Sequence, residues 1–135
     1  MPTKIFVNLP VKDLTRSVAF FKGLGYAFND RFTDETAACM VITDDIYTML
    51  LTEAKFKEFT PKALADATKT TEVLTCLSTD SRGDVDALLD KALKLGATET
   101  REPQDHGFMY GRSFNDLDGH IWEIIHMDQS AIPEK

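Results

Sequence analysis

Apolar and polar residues alternate along KIFVNLPV, residues 4–11, as they do in a strand with one packed face, and the period then changes. In DLTRSVAFFKGLG, Leu14, Val18, Phe21 and Leu24 recur at helical spacing, with Asp13 placed to cap the helix and Gly25 to stop it. YAFNDRF, TAACMVI and IYTMLLT then read as three strands. The order predicted for the first half is β-α-β-β-β.

From residue 72 the same order returns. EVLTCLST is a strand, and SRGDVDALLDKALKLG is a helix with a stripe of Val85, Leu88, Leu89, Ala92 and Leu95, ended by Gly96. ATETREP, GFMYGRSF and HIWEIIHM supply three more strands, the last entered through the turn DLDG. Between the halves, EAKFKEFTPKALADATK is rich in Lys, Glu and Ala, with Pro61 at a helix start. It reads as a helical excursion that links the halves or covers a cavity.

The predicted fold is therefore α+β: one domain over residues 1–135, made of tandem βαβββ modules at about 1–52 and 71–128 joined by a linker at about 53–70. Two such modules are expected to form a curved mixed sheet around a shared concave groove, where small ligands bind.

Composition narrows the function. The chain is 43% hydrophobic and 27% charged, ordinary values for a globular protein, and no run approaches the ~20 apolar residues of a membrane helix. MPTKIFVNLP runs straight into a strand pattern without a signal-peptide core, so a cytoplasmic location is expected, with Cys39 and Cys76 reduced. Both cysteines sit in apolar runs and read as small buried hydrophobes. A net charge of −7 opposes nucleic-acid phosphates and anionic membranes as partners.

VNLPVKDLTRSVAFFKGLGYAF resembles the opening of a vicinal oxygen chelate module, the fold shared by glyoxalase I, bleomycin-binding proteins, fosfomycin-resistance transferases and extradiol dioxygenases. DLDGHIWEI is similar to that superfamily's D-P-D-G-x-x-x-E ending, and IFVNLPVKDL and GFMYGRSFNDLDGHIWE look most like its predicted lactoylglutathione lyase-like bacterial branch. The resemblance implies a homodimer and, in metal-dependent members, four ligands on the first and last strand of each module. The first of these stands seven positions before the Asp that opens the helix. Counting back from Asp13 gives Phe6, and from Asp80 gives Val73; aligning IYTM with IWEI places Thr48 opposite Glu123. Phenyl and isopropyl groups have no lone pair and Thr48 offers only a hydroxyl, so no cofactor is expected, and a divalent metal held through Glu123 is the disfavoured alternative.

Alternation completes the expected wall. Phe6 and Asn8 share one face, matched by Val73 and Thr75, while Val7, Leu9 and Val11 point to the helix. Met109, Gly111 and Ser113 point inward, Tyr110 and Arg112 outward, with Arg112 pairing a carboxylate such as Asp116. Trp122 reads as core, and His106, His120 and His126 as surface or half-buried side chains. Glu123 is the candidate catalytic group. Desolvation would raise its pKa and suit it to general-base work, whereas hydrogen bonds from Asn8, Thr48, Thr75 or Ser113 would make it structural. The expected function is binding of a small, partly apolar organic molecule by Phe6, Asn8, Thr48, Val73, Thr75, Met109, Ser113 and Glu123. The alternative is a glyoxalase I-type lyase or isomerase acting on a small oxygen-bearing or glutathione-linked substrate.

Overall fold

The computed structural model describes residues 3–134, which divide between Ala65 and Asp66 into two compact units. In the first, strand β1 (Ile5–Val11) leads to helix α1 (Leu14–Gly23), then to β2 (Ala27–Phe28), β3 (Ala37–Val41) and β4 (Ile46–Thr52), closed by the short helix α2 (Glu53–Lys57). The sheet order is β1-β4-β3-β2, with β1 and β4 parallel and the other pairs antiparallel. The second unit repeats the plan: β5 (Leu74–Ser78), helix α3 (Arg82–Lys94), β6 (Thr98–Glu99), β7 (Gln104–Asp105), β8 (Met109–Asn115) and β9 (Ile121–Met127). Its order is β5-β9-β8-β6, with β7 also paired to β8 and β5 parallel to β9. The molecule is thus α+β, with βαβββ order in the first unit and the same order with one further two-residue strand, β7, in the second. No helix among the described residues is long and apolar enough to cross a membrane.

Local chemistry explains both helix starts. The Asp13 carboxylate accepts the Arg16 N–H at 3.1 Å, and the Ser81 hydroxyl accepts the Asp84 N–H at 3.0 Å. Gly25 and Gly96, at φ +106° and +110°, take the left-handed conformation that ends a helix. Each helix lays its apolar stripe on one face of its own sheet. In the first unit Phe20, Phe21 and Leu24 bury with Leu9, Val11, Met40 and Leu50; in the second Val85, Leu89 and Ala92 bury with Phe114, Trp122 and Ile124. Each large side chain removed from water in this way contributes about 1.5–3 kcal/mol.

Three local expectations change. YAFNDRF forms only the two-residue β2 before a 3-10 turn at Asp30–Phe32, because the Asn29 side chain accepts the Arg31 N–H and starts a turn instead. ATETREP is not one strand: β6 ends at Glu99, and pairing with β8 resumes at Gln104 beyond Pro103. No helix follows Pro61. The helix lies before it, at Glu53–Lys57, and the Asp66 carboxylate takes the Thr68 N–H and hydroxyl at 2.9 and 2.6 Å, closing a local turn in place of a helical one.

Thr48 stands in the first unit's core, in register with Val7 and Met40, fully buried and with no hydrogen-bond partner for its hydroxyl. Valine has nearly the same shape without the stranded polar group. Thr48→Val should therefore raise stability by about 1 kcal/mol, read as a higher denaturation midpoint at unchanged slope.

Candidate ligand-binding site

The second unit's sheet face away from α3 carries the candidate site. Strand order puts β9 between β5 and β8, and the register sets Cys76, Glu123 and Ser113 in a row across them. One row along, Ile125 stands beside Gly111, which in turn pairs with Gln104. A Cβ at residue 111 would lie 3.0 Å from the Ile125 Cγ2, so the glycine lets Ile125 pack closely on β8. Together with Arg101 and Met109, these side chains line a recess of about 120 Å³. Its wall is the Met109 thioether and the Ile125 sec-butyl group, with a hydroxyl, a thiol, an amide and four charged side chains, Arg101, Glu102, Arg112 and Glu123, at its edge.

Glu123 is not sealed in hydrocarbon: its side chain keeps 26% of its exposure, and Oε2 lies 3.8 Å from Nη2 of Arg101, itself 60% exposed. That separation is Coulombic contact beyond hydrogen-bond range. Cys76 is exposed on this face, which corrects its reading as a buried hydrophobe. Partial desolvation and then the Glu123 charge hold its thiol above the ordinary 9.0, so the neutral, weakly nucleophilic form dominates near pH 7.

The structure brings together Met109, Ser113 and Glu123 of the expected residues. Thr75 it places elsewhere, since its register partner is Trp122 on the α3 side. Val73 precedes β5 and shares Thr75's parity. The cause is the helix cap. Ser81, not Asp80, caps α3, so seven positions back is Leu74, and Cys76 replaces Thr75 beside Glu123. A one-residue slip in a strand exchanges its two faces.

The same slip affects Thr48. In the first unit Phe6 pairs with Tyr47 and Asn8 with Met49, while Thr48 faces α1. The row Asn8-Met49-Cys39 therefore matches Cys76-Glu123-Ser113, and Met49 takes the place assigned to Thr48. Phe6 stacks on Tyr47 at 4.7 Å between centroids, and the Asn8 amide donates to the Phe6 carbonyl at 3.1 Å. The four positions become Phe6, Met49, Leu74 and Glu123, of which Glu123 alone is a carboxylate.

A tightly held divalent transition-metal ion takes three or four imidazole, carboxylate or thiolate ligands. Among the described residues no three His, Cys, Asp or Glu side chains stand together in that way. The donor set around Glu123, a thiol, a hydroxyl and a thioether, does not fit such an ion.

On the α3 side, Tyr110 and Arg112 point outward as alternation requires, but Arg112 does not pair with Asp116. Its guanidinium grips Glu99 through Nε and Nη2 at 2.9 and 3.0 Å and reaches Asp86 and Asp90 through Nη1. These bonds, those to Glu99 first, raise its pKa further above the usual guanidinium range and weld α3 to β8. Asp116 is taken instead by the turn it opens. Its Oδ1 accepts the Asp118 and His120 N–H groups at 2.9 and 3.0 Å, and its Oδ2 accepts Nε1 of the buried Trp122 at 3.0 Å. His126 lies on the face opposite Glu123, with Nδ1 3.1 Å from the Thr79 carbonyl.

Cys76, Arg101, Gln104 and Ile125 were not expected in the site. Cys76 was legible from the Ser81 cap, and Ile125 from its period-2 relation to Glu123. No sequence signal points to Arg101, which reaches the face from the loop between β6 and β7.

A family model described as bleomycin resistance protein-like N-terminal matches residues 3–43. No curated protein matches the chain. Among solved structures, hypothetical protein SA1046 of S. aureus is 28% identical, with a TM-score of 0.79 over 93% of this chain and 94% of that one. A glyoxalase/bleomycin resistance protein/dioxygenase family enzyme of Burkholderia phytofirmans is 16% identical, with a TM-score of 0.75 over 90% and 96%. Fosfomycin resistance protein FosX of Mesorhizobium loti is also 16% identical, with a TM-score of 0.68 over 96% of both chains. This chain is thus similar in fold to proteins named for the glyoxalase/bleomycin resistance/dioxygenase family and to a fosfomycin resistance protein, and residues 3–43 match the bleomycin resistance protein-like N-terminal model.

Proposed function

We propose that this protein binds a small, partly apolar organic molecule in the recess around Glu123. The observation that carries the reading is one charged pair, Arg101 and Glu123, set over the Met109 and Ile125 hydrocarbon with the Ser113 hydroxyl beside it. Small-molecule sites combine an apolar wall with a few convergent polar groups in this manner. A fold shared with a protein named for resistance to fosfomycin, itself a small organic molecule, supports the same reading. Glu123 then orients a donor group of the ligand, and metal-dependent isomerisation of the glyoxalase I type is the less favoured reading because the donor set is short.

A methyl-resolved NMR screen of small organic molecules tests this. Hits should shift the Met109 and Ile125 methyl signals, and Ser113→Leu, which fills the recess, should abolish the shifts. Glu123→Gln should weaken hits that carry a donor about tenfold, the loss of one charge-assisted hydrogen bond. Hits confined to other surfaces would reject the recess, and stoichiometric metal lost on Glu123→Gln would restore the glyoxalase reading.

A further inference from the structure

We infer that the ligand of this recess is a zwitterion of the amino-acid type, an ammonium and a carboxylate on one small carbon skeleton with a short apolar tail. The inference rests on the recess being the binding site and adds the chemical class of its occupant.

Of the four charged side chains that line the recess, Arg112 is held by Glu99 and Asp86, whereas Arg101 and Glu123 face one small space and do not satisfy each other. A charge-assisted N–H···O bond closes to about 2.7–2.9 Å, whereas Arg101 and Glu123 stand 3.8 Å apart. The guanidinium is 60% exposed, on a loop residue, and has room to turn. Its planar fork matches a carboxylate bidentately. Glu123, held mid-strand on β9, is the fixed end and accepts a donor such as an ammonium, with the Ser113 hydroxyl in the next strand as a second acceptor.

A ligand with only a carboxylate would meet Arg101 but bring a second negative charge to Glu123, and Glu102 lines the same recess. One with only an ammonium would satisfy Glu123 and leave the guanidinium facing it. A zwitterion answers both. The roughly 120 Å³ available limits it to a short tail, which would lie on Met109 and Ile125.

Four probes of matched skeleton separate the possibilities: 2-aminobutyrate, butyrate, propylamine and butanamide, each titrated against the Met109 and Ile125 methyl signals of the full chain. The zwitterion should bind at least tenfold more tightly than either single-charge probe. Arg101→Gln should reduce it to the level of propylamine, and Glu123→Gln to that of butyrate. Equal or tighter binding of butyrate or propylamine to the wild type overturns the inference. If all four, butanamide included, shift the same methyls with equal affinity, the recess stands as a binding site and the zwitterion falls. If none shifts them, both fall.

Discussion

Gly119→Ala is expected to lower stability by about 2–4 kcal/mol, a loss of on the order of 10 °C in melting temperature. Gly119 closes the DLDG turn with φ +90°, a backbone conformation that side chains with a Cβ rarely adopt. Space is also missing. A Cβ there would lie 2.8 Å from the Ala67 carbonyl oxygen and 2.9 Å from both Ala67 C and Thr68 N. All three are backbone atoms, so no side-chain rotation relieves the contact, and the Asp66 turn pinned by Thr68 would have to lift. Thermal denaturation of the variant measures the effect. A change within 1 °C would mean that the 66–70 segment does not pack on the turn.

Asp116→Asn should cost about 2 kcal/mol at neutral pH, because one carboxylate serves three N–H donors and an amide must present its own N–H₂ to at least one of them. The penalty should also depend on pH. Burial raises the Asp116 carboxyl above the ordinary 3.8, opposed by the His120 charge and by the Trp122 and Asp118 bonds. Between 3.8 and that raised value the folded protein binds the proton more readily than the unfolded chain, so wild-type stability falls as pH rises through the window. The variant lacks this slope. Its deficit relative to wild type should therefore widen as the pH is lowered toward 4, while the other carboxylates titrate in both proteins and cancel to first order. Urea midpoints for both proteins from pH 4 to 7 measure this. A deficit that shrinks on acidification would show that Asp116 is stabilised as the anion. The Arg82–Asp105 pair carries the opposite sign: its carboxyl is depressed below 3.8, first by the Arg82 bonds, and its contribution is lost as pH falls.

How far residues announced their places depended on what fixed them. Asp13 is a cap in the structure because its own side chain reaches the Arg16 N–H, a contact three residues long that the order of residues already contains. Trp122 is core, and Tyr110 and Arg112 face outward, because alternation from a known turn leaves no choice of face. Asp80 against Ser81 shows the limit. Either residue type caps a helix, and the structure's choice of Ser81 moved Leu74 and Cys76 onto the face reserved for Val73 and Thr75. Arg112 shows another, since its partners Asp86, Asp90 and Glu99 lie 13 to 26 residues away on α3 and β6.

By itself the sequence determined the β-α-β-β-β order of the first unit, the two long helices with their glycine stops, and the closing turn. Each follows from local periodicity, capping or side-chain chemistry, which need no distant neighbour. Only the tertiary structure decided that Cys76 and Ser113 flank Glu123, that Arg101 stands at 3.8 Å from it, and that Thr48 is buried without a partner. Strand register and loop reach are set by pairing between segments tens of residues apart. There a shift of one residue changes no local preference but turns every side chain to the other face.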